Sequence, residues 1–242
     1  FTAQTDFTEP GELSLYIDQS QVAMLEAQMA QTGYLDGEQM SGAFQMLRTN
    51  DLLWSRMLNE YLLGERRPMN DLMAWNADLT RMPERMHSEY LRKLFLKDEL
   101  SEGRYMVGDR PVALSDVSVP IFSVATVSDH VAPWRSVHKL HYLTPAEIHF
   151  VLTNGGHNAG IVSEPGRPRR NYQALTRAAG GKYLAPTEWL QQAPRHEGSW
   201  WPEWQAWLQA RSGAPLRPPR MGAAGKGYKA LCDAPGTYVL EK

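Results

Sequence analysis

Val119-Pro-Ile-Phe-Ser-Val-Ala-Thr-Val127 runs into Ser128-Asp129-His130, and Glu147-Ile-His-Phe-Val-Leu152 runs into Asn154-Gly155-Gly156-His157 one residue later. The first run is apolar and rich in β-branched residues, as expected of a strand buried on both faces. The second has the same character. Between them Pro133 suits the first turn of a short helix carrying Trp134, Val137, Leu140 and Leu143. Strand, helix and strand fit within about 35 residues, the size of a βαβ unit with parallel strands. The predicted class is therefore α/β.

Towards the N-terminus, Phe1 to Phe7 reads as the end of a strand, broken by Glu9-Pro10-Gly11. Residues 12–47 are helix-prone, with Gly33, Gly37 and Gly42 as interruptions. A helix is expected from about Asp51 to Leu63 and ends at Gly64. Its Leu53, Trp54, Met57, Leu58, Tyr61 and Leu62 share a face that reads as buried. A further helix opens at Pro83, with Met86, Tyr90, Leu91, Leu94 and Phe95 as its stripe. Tyr105-Met-Val and Pro111-Val-Ala-Leu around Gly108-Asp109-Arg110 read as a hairpin. Towards the C-terminus, residues 163–186 read as a Pro-, Gly- and Arg-rich surface loop. Glu188-Trp189-Leu190 and Gly198-Ser-Trp-Trp-Pro-Glu-Trp204 lead into a helix ending near Ala210. Residues 211–225 read as a linker, and Tyr228 to Leu240 as a weak strand or loop. The expected organisation is a strand exit over 1–11, a mostly helical subdomain over 12–115, an α/β core over 116–210 and a tail over 211–242.

Composition narrows the function classes. The net charge of −2 provides no basic field for nucleic acid or an anionic membrane surface. No apolar run approaches the ~20 residues of a membrane-spanning helix. The single Cys232 rules out an internal disulfide and fits a reducing compartment. The histidine spacings match no zinc pattern, so neither metal nor cofactor is expected. Eight Trp and eleven Met imply much large apolar surface, and Trp54, Trp75 and Trp134 are read as core.

The chemistry sits at the two strand ends. In open α/β sheets reactive groups gather at the carboxyl edge of the strands. Neighbouring strands lie about 4.8 Å apart, so Asp129 and His157 can meet beyond their ends. An Asp that accepts from an imidazole fixes its tautomer and stabilises the imidazolium. Asp129 and His157 are thus the candidate catalytic pair. His130 is a possible site-shaping neighbour, whereas His138, His141 and His149 read as structural or solvent-facing. The order acid, then His, matches α/β-hydrolases, in which a nucleophile elbow comes earlier in the chain. These residues contain neither G-x-S-x-G nor G-x-C-x-G. The chain starts at Phe1, without Met, so the expectation is that the nucleophile lies upstream.

Several blocks carry a resemblance. Asn50-Asp51-Leu-Leu-Trp54, Trp75-Asn76-Ala-Asp78-Leu-Thr80-Arg-Met-Pro83, Ser128-Asp129-His130-Val-Ala-Pro133-Trp134, Gly155-Gly156-His157-Asn-Ala-Gly160-Ile-Val and the tryptophan-rich block 198–204 resemble polyhydroxyalkanoate synthases, in the arrangement of the single-subunit class. The resemblance implies the C-terminal half of an α/β-hydrolase fold with a helical cap. It implies an acyltransferase that polymerises (R)-3-hydroxyacyl-CoA through a Cys-His-Asp triad and releases coenzyme A. His157 would be the general base and Asp129 its orienter. Implied partners are the acyl-CoA, the growing polyester and its granule surface, a second copy through the cap, and the N-terminal half bearing the cysteine. The implied setting is the cytoplasm, on granules. Ser128, one of Gly155 or Gly156, and Ser163-Glu164-Pro165 depart from the family pattern without touching Asp129 or His157. Two alternatives stay open: an esterase or polyester depolymerase using the same pair, and an inactive fragment that only associates with a full-length partner.

Overall fold

Residues 1–35, 37, 39, 57–65, 75 and 81–233 are described by a computed structural model. Helix α1 spans Gln19–Thr32. Asp18 caps it, accepting at 2.8 Å from the N–H groups of both Ser20 and Gln21, while the Gln21 side chain reaches back to the Asp18 N–H. Such a reciprocal box satisfies donors that a helix N-terminus leaves open. Gly33, at φ 77°, closes the helix in the left-handed conformation. Helix α2, Glu84–Glu89, continues as a π-helical segment over Tyr90–Leu96 and is joined to α1 through Glu26 and Arg92 at 2.6 Å.

The strands begin with the expected hairpin, β1 (Tyr105–Val107) paired antiparallel with β2 (Arg110–Val112). Next come β3 (Ile121–Thr126), α3 (Trp134–His138), α4 (Leu140–Leu143) and β4 (Ile148–Thr153). β3 and β4 pair in parallel, Ile121 opposite Ile148 and Thr126 opposite Thr153, so both strands end on one edge of the sheet. β5 (Asn171–Arg177), α5 (Pro186–Gln192), β6 (Arg195–Glu197) and α6 (Trp201–Gln209) complete the order. The sheet runs β3-β4-β5-β6, with β5 and β6 antiparallel to their neighbours. The protein is thus α/β with a mixed sheet.

Side-chain alternation sorts the core onto the two sheet faces. Ala125, Ile148, Phe150 and Leu152 pack with Val137 and Trp189, and Val124, Val151, Tyr172 and Ala174 with Trp200. Trp189 and Trp200 are both buried. Each large side chain buried in this way contributes about 1.5–3 kcal/mol of hydrophobic stabilisation.

Several sequence expectations are corrected. The expected surface loop 163–186 contains β5, whose Tyr172 and Ala174 are buried. The reason is that β4, apolar on both faces, needs a ladder partner on its second side. The helix expected near Asp51 to Leu63 is described only over its last part, a π-helical segment at Met57–Leu62. Met57, Leu58, Tyr61 and Leu62 are 47–88% exposed, so that face is not buried there; Leu53 and Trp54 lie outside the described residues. Met86 is also exposed, and Leu91 alone of its stripe is fully buried. Trp75, read as core, is 62% exposed, whereas Trp134 packs against the core beneath α3. Residues 1–7 form no strand, although the Thr2 N–H donates to the Val124 carbonyl at 2.7 Å along the open side of β3. The helix ending near Ala210 is separated from the Trp189 helix by β6. Tyr228 bridges only Ala223, and the chain beyond Asp233 lies outside the described residues.

Candidate active site

Beyond β3 the backbone turns at Ser128-Asp129, and beyond β4 at Asn154 to Val162. The parallel register brings these turns side by side, and the Ser128 N–H donates to the Gly155 carbonyl at 3.0 Å. Asp129 Oδ2 lies 2.9 Å from His157 Nδ1. The same oxygen accepts from the Thr126 hydroxyl at 3.2 Å, and Oδ1 accepts from the N–H groups of Val131 (2.9 Å) and Ala132 (2.8 Å). The Asp129 side chain is fully buried, while that of His157 is 31% exposed. Burial pushes the Asp129 carboxyl up, but His157 and the N–H groups of Ala132 and Val131 outweigh it and hold the group below its ordinary value. Asp129 is therefore an ionised acceptor. It faces Nδ1 of His157, which is placed to donate to it, so Nε2 is the ring nitrogen left outside the pair.

The His157 turn is tightly bound. Gly155 has φ 111°, where only glycine is at ease, and a Cβ there would lie 2.9 Å from an Arg170 nitrogen. A Cβ on Gly160 would lie 2.5 Å from Thr126 Cγ2, so that glycine lets the turn close over the end of β3. Gly155 and Gly160 therefore serve close approach. The indole N–H groups of Trp200 and Trp201 donate to the carbonyls of Gly160 (3.1 Å) and Ile161 (2.9 Å), and the Ser199 hydroxyl donates to the Ser163 carbonyl. In sequence the tryptophan block reads as a helix start and a family mark but not for its bonds to the His157 turn, and Arg170 carries no signal of its own. The signal available was the pairing of an indole-rich block with a glycine-rich turn, since buried indole N–H groups need acceptors.

Of the remaining histidines, His130 follows Asp129 in the same turn, half-buried, with its carbonyl facing Gly11. His138 and His141 are buried beneath the sheet, their rings stacked at 4.2 Å. His149 stacks on Phe122 and faces Glu203 at 3.3 Å. Cys232 is exposed in the tail.

A mixed sheet whose two parallel strands end in a hydrogen-bonded Asp–His pair defines an α/β protein that carries an oriented imidazole. Over its whole length the chain is 41% identical to the poly(3-hydroxyalkanoate) polymerase subunit PhaC of Rhizobium etli and 42% identical to the poly(3-hydroxyalkanoate) polymerase of Methylorubrum extorquens. It is 33% identical to the PhaC subunit of Cupriavidus necator. The chain belongs to the poly(3-hydroxyalkanoate) polymerase family, and spans 37%, 39% and 41% of the length of these three relatives. No family model matches it. Among the described residues no helix is long and apolar enough to cross a membrane.

Proposed function

We propose that this chain supplies the base and its orienting carboxylate to an acyltransferase that builds a polyester from 3-hydroxyacyl-CoA. The reading rests chiefly on the 2.9 Å bond between His157 Nδ1 and the buried Asp129. A cysteine outside residues 1–242 loses its thiol proton to His157 Nε2, and the thiolate attacks the thioester carbonyl of the acyl-CoA. The tetrahedral intermediate collapses, coenzyme A leaves as a thiol with the proton from the imidazolium, and the acyl group stays on the cysteine. His157 then takes the proton from the hydroxyl of a second 3-hydroxyacyl group, which attacks the enzyme thioester. An ester bond forms, and the cysteine thiol recovers its proton. Asp129 stays ionised throughout and stabilises each transient imidazolium. The names of the relatives favour polymerisation over hydrolysis. His130 as a site-shaping neighbour, assembly of two copies through residues 12–115 and action at a polyester granule in the cytoplasm belong to the same proposal.

The test uses the complete polypeptide and follows coenzyme A release from 3-hydroxybutyryl-CoA. His157→Ala is expected to abolish release. Asp129→Asn is expected to slow it by about 10²–10⁴-fold, because the amide no longer stabilises the imidazolium. Full-rate release by a well-folded His157→Ala protein would overturn the proposal.

A further inference from the structure

Arg170 lies in the segment leading into β5, outside both turns of the candidate site, yet its guanidinium grips the His157 turn at two places. One terminal nitrogen donates to the Asn154 carbonyl at 3.3 Å and the other to the Ala159 carbonyl at 2.7 Å. These carbonyls lie on either side of His157 in the chain. The Arg170 backbone is fixed in turn, because its carbonyl accepts from the Gly198 N–H at 2.7 Å at the start of the tryptophan block. The neighbouring Asn154 side chain is held from both sides, donating to the Arg169 carbonyl and accepting from the Asn171 N–H.

We infer that Arg170, assisted by the indole N–H of Trp200, is a positioning residue that sets the aim of His157. This rests on the reading of His157 as the base. The turn contains Gly155 and Gly156, and glycine is the residue type with the least restricted backbone. The turn has bonds of its own, such as the Gly160 N–H to the Gly156 carbonyl at 2.8 Å, and contacts from outside it fix the backbone further. A guanidinium is suited to fixing it, being planar and always charged, with its donors set in a rigid fork. Charge-assisted bonds to carbonyls are about twice as strong as neutral ones. The geometry also accounts for Gly155, since any side chain there would displace the Arg170 nitrogen that reaches past it to Asn154. Trp200 takes the far end of the turn at Gly160, so the segment is bound before, within and after the His157 loop. A shift of about 1 Å in a base is enough to cost about 10²-fold in rate.

The experiment uses the complete polymerase and separates kcat from KM for 3-hydroxybutyryl-CoA. Arg170→Ala is expected to lower kcat by about 10–100-fold while KM stays within about twofold. Added guanidinium ion at millimolar concentration is expected to restore part of kcat to Arg170→Ala and none to His157→Ala. Arg170→Lys, which keeps charge but loses the fork, should fall between parent and Ala. If Arg170→Ala does not fold, Trp200→Phe decides, because it keeps an aromatic ring and removes the N–H; kcat should then drop several-fold at constant KM. An unchanged kcat in the folded variant, or a fall in kcat matched by a rise in KM with no guanidinium rescue, overturns the inference. Full activity in His157→Ala would instead remove the reading on which it rests.

Discussion

His138 and His141 offer a sharp test of how burial acts on this fold. His138 is fully buried with neither ring nitrogen hydrogen-bonded, and His141 is 3% exposed with only Nδ1 engaged, against the His138 carbonyl at 2.9 Å. The groups packed around them are Trp134, Phe150, Tyr183 and Trp189, with Arg135 and Arg177 as nearby cations. Burial first, then the neighbouring His141 and Arg135, lowers His138 to about 3. Burial likewise lowers His141 to about 4, against the pull of its backbone bond. Both rings are neutral when folded and bind protons near pH 6.5 when unfolded. Their contribution is therefore present above pH 6.5 and is lost as pH falls from there towards 4 and 3. Between pH 7 and pH 5 each unfolded ring goes from about one-quarter to almost fully protonated, a loss of about 2 kcal/mol for each and about 4 kcal/mol for the pair. His87 and His149, also lowered by burial, act in the same direction. The discriminating measurement is thus a difference. Urea unfolding of the parent and of His138→Phe at pH 7, 6 and 5 should show the variant losing about 2 kcal/mol less over that range, whatever its stability at pH 7. Equal losses in the two proteins would refute the assignment of a buried neutral ring.

Other outcomes follow from the site and its supports. Gly160→Ala should destabilise by about 1–3 kcal/mol, because its methyl must displace Thr126, and Thr126→Ser should recover part of that loss in a thermal or urea melt. Asp129→Asn should flatten the loss of stability in acid: the parent carboxyl is lowered, so its contribution is present above the unfolded value and vanishes as pH falls through the folded one. Arg177 donates to the carbonyls of His141, Thr144 and Ala146 at 2.5–2.8 Å. Arg177→Gln should leave carbonyls near the end of α4 unsatisfied and cost about 1–3 kcal/mol, read as a shifted urea midpoint with unchanged slope.

What sequence could decide was local. β3 and β4 were legible because both are buried on both faces, which leaves near-continuous apolar runs that few other structures tolerate. Asp129 and His157 were legible because parallel strands end on the same edge, so order and spacing alone place the two residues together. The helix start at Pro83 and the hairpin around Gly108-Asp109 were legible for a related reason: helix starts and turns are set by a few adjacent residues. What only tertiary structure decided was partnership. An apolar stripe reports what a segment can bury and not whether anything covers it, so Met57, Leu58, Tyr61 and Trp75 read as core yet lie exposed. The alternation in Asn171–Arg177 is short and flanked by Pro and Arg; it becomes a strand because β4 has an open side to fill. Arg170 and Trp200 reach the His157 turn across sequence gaps that carry no periodic signal, through donors to backbone carbonyls that every residue possesses. The pair that would do the chemistry is thus written in sequence, whereas the contacts that hold it in place exist only once the sheet has formed.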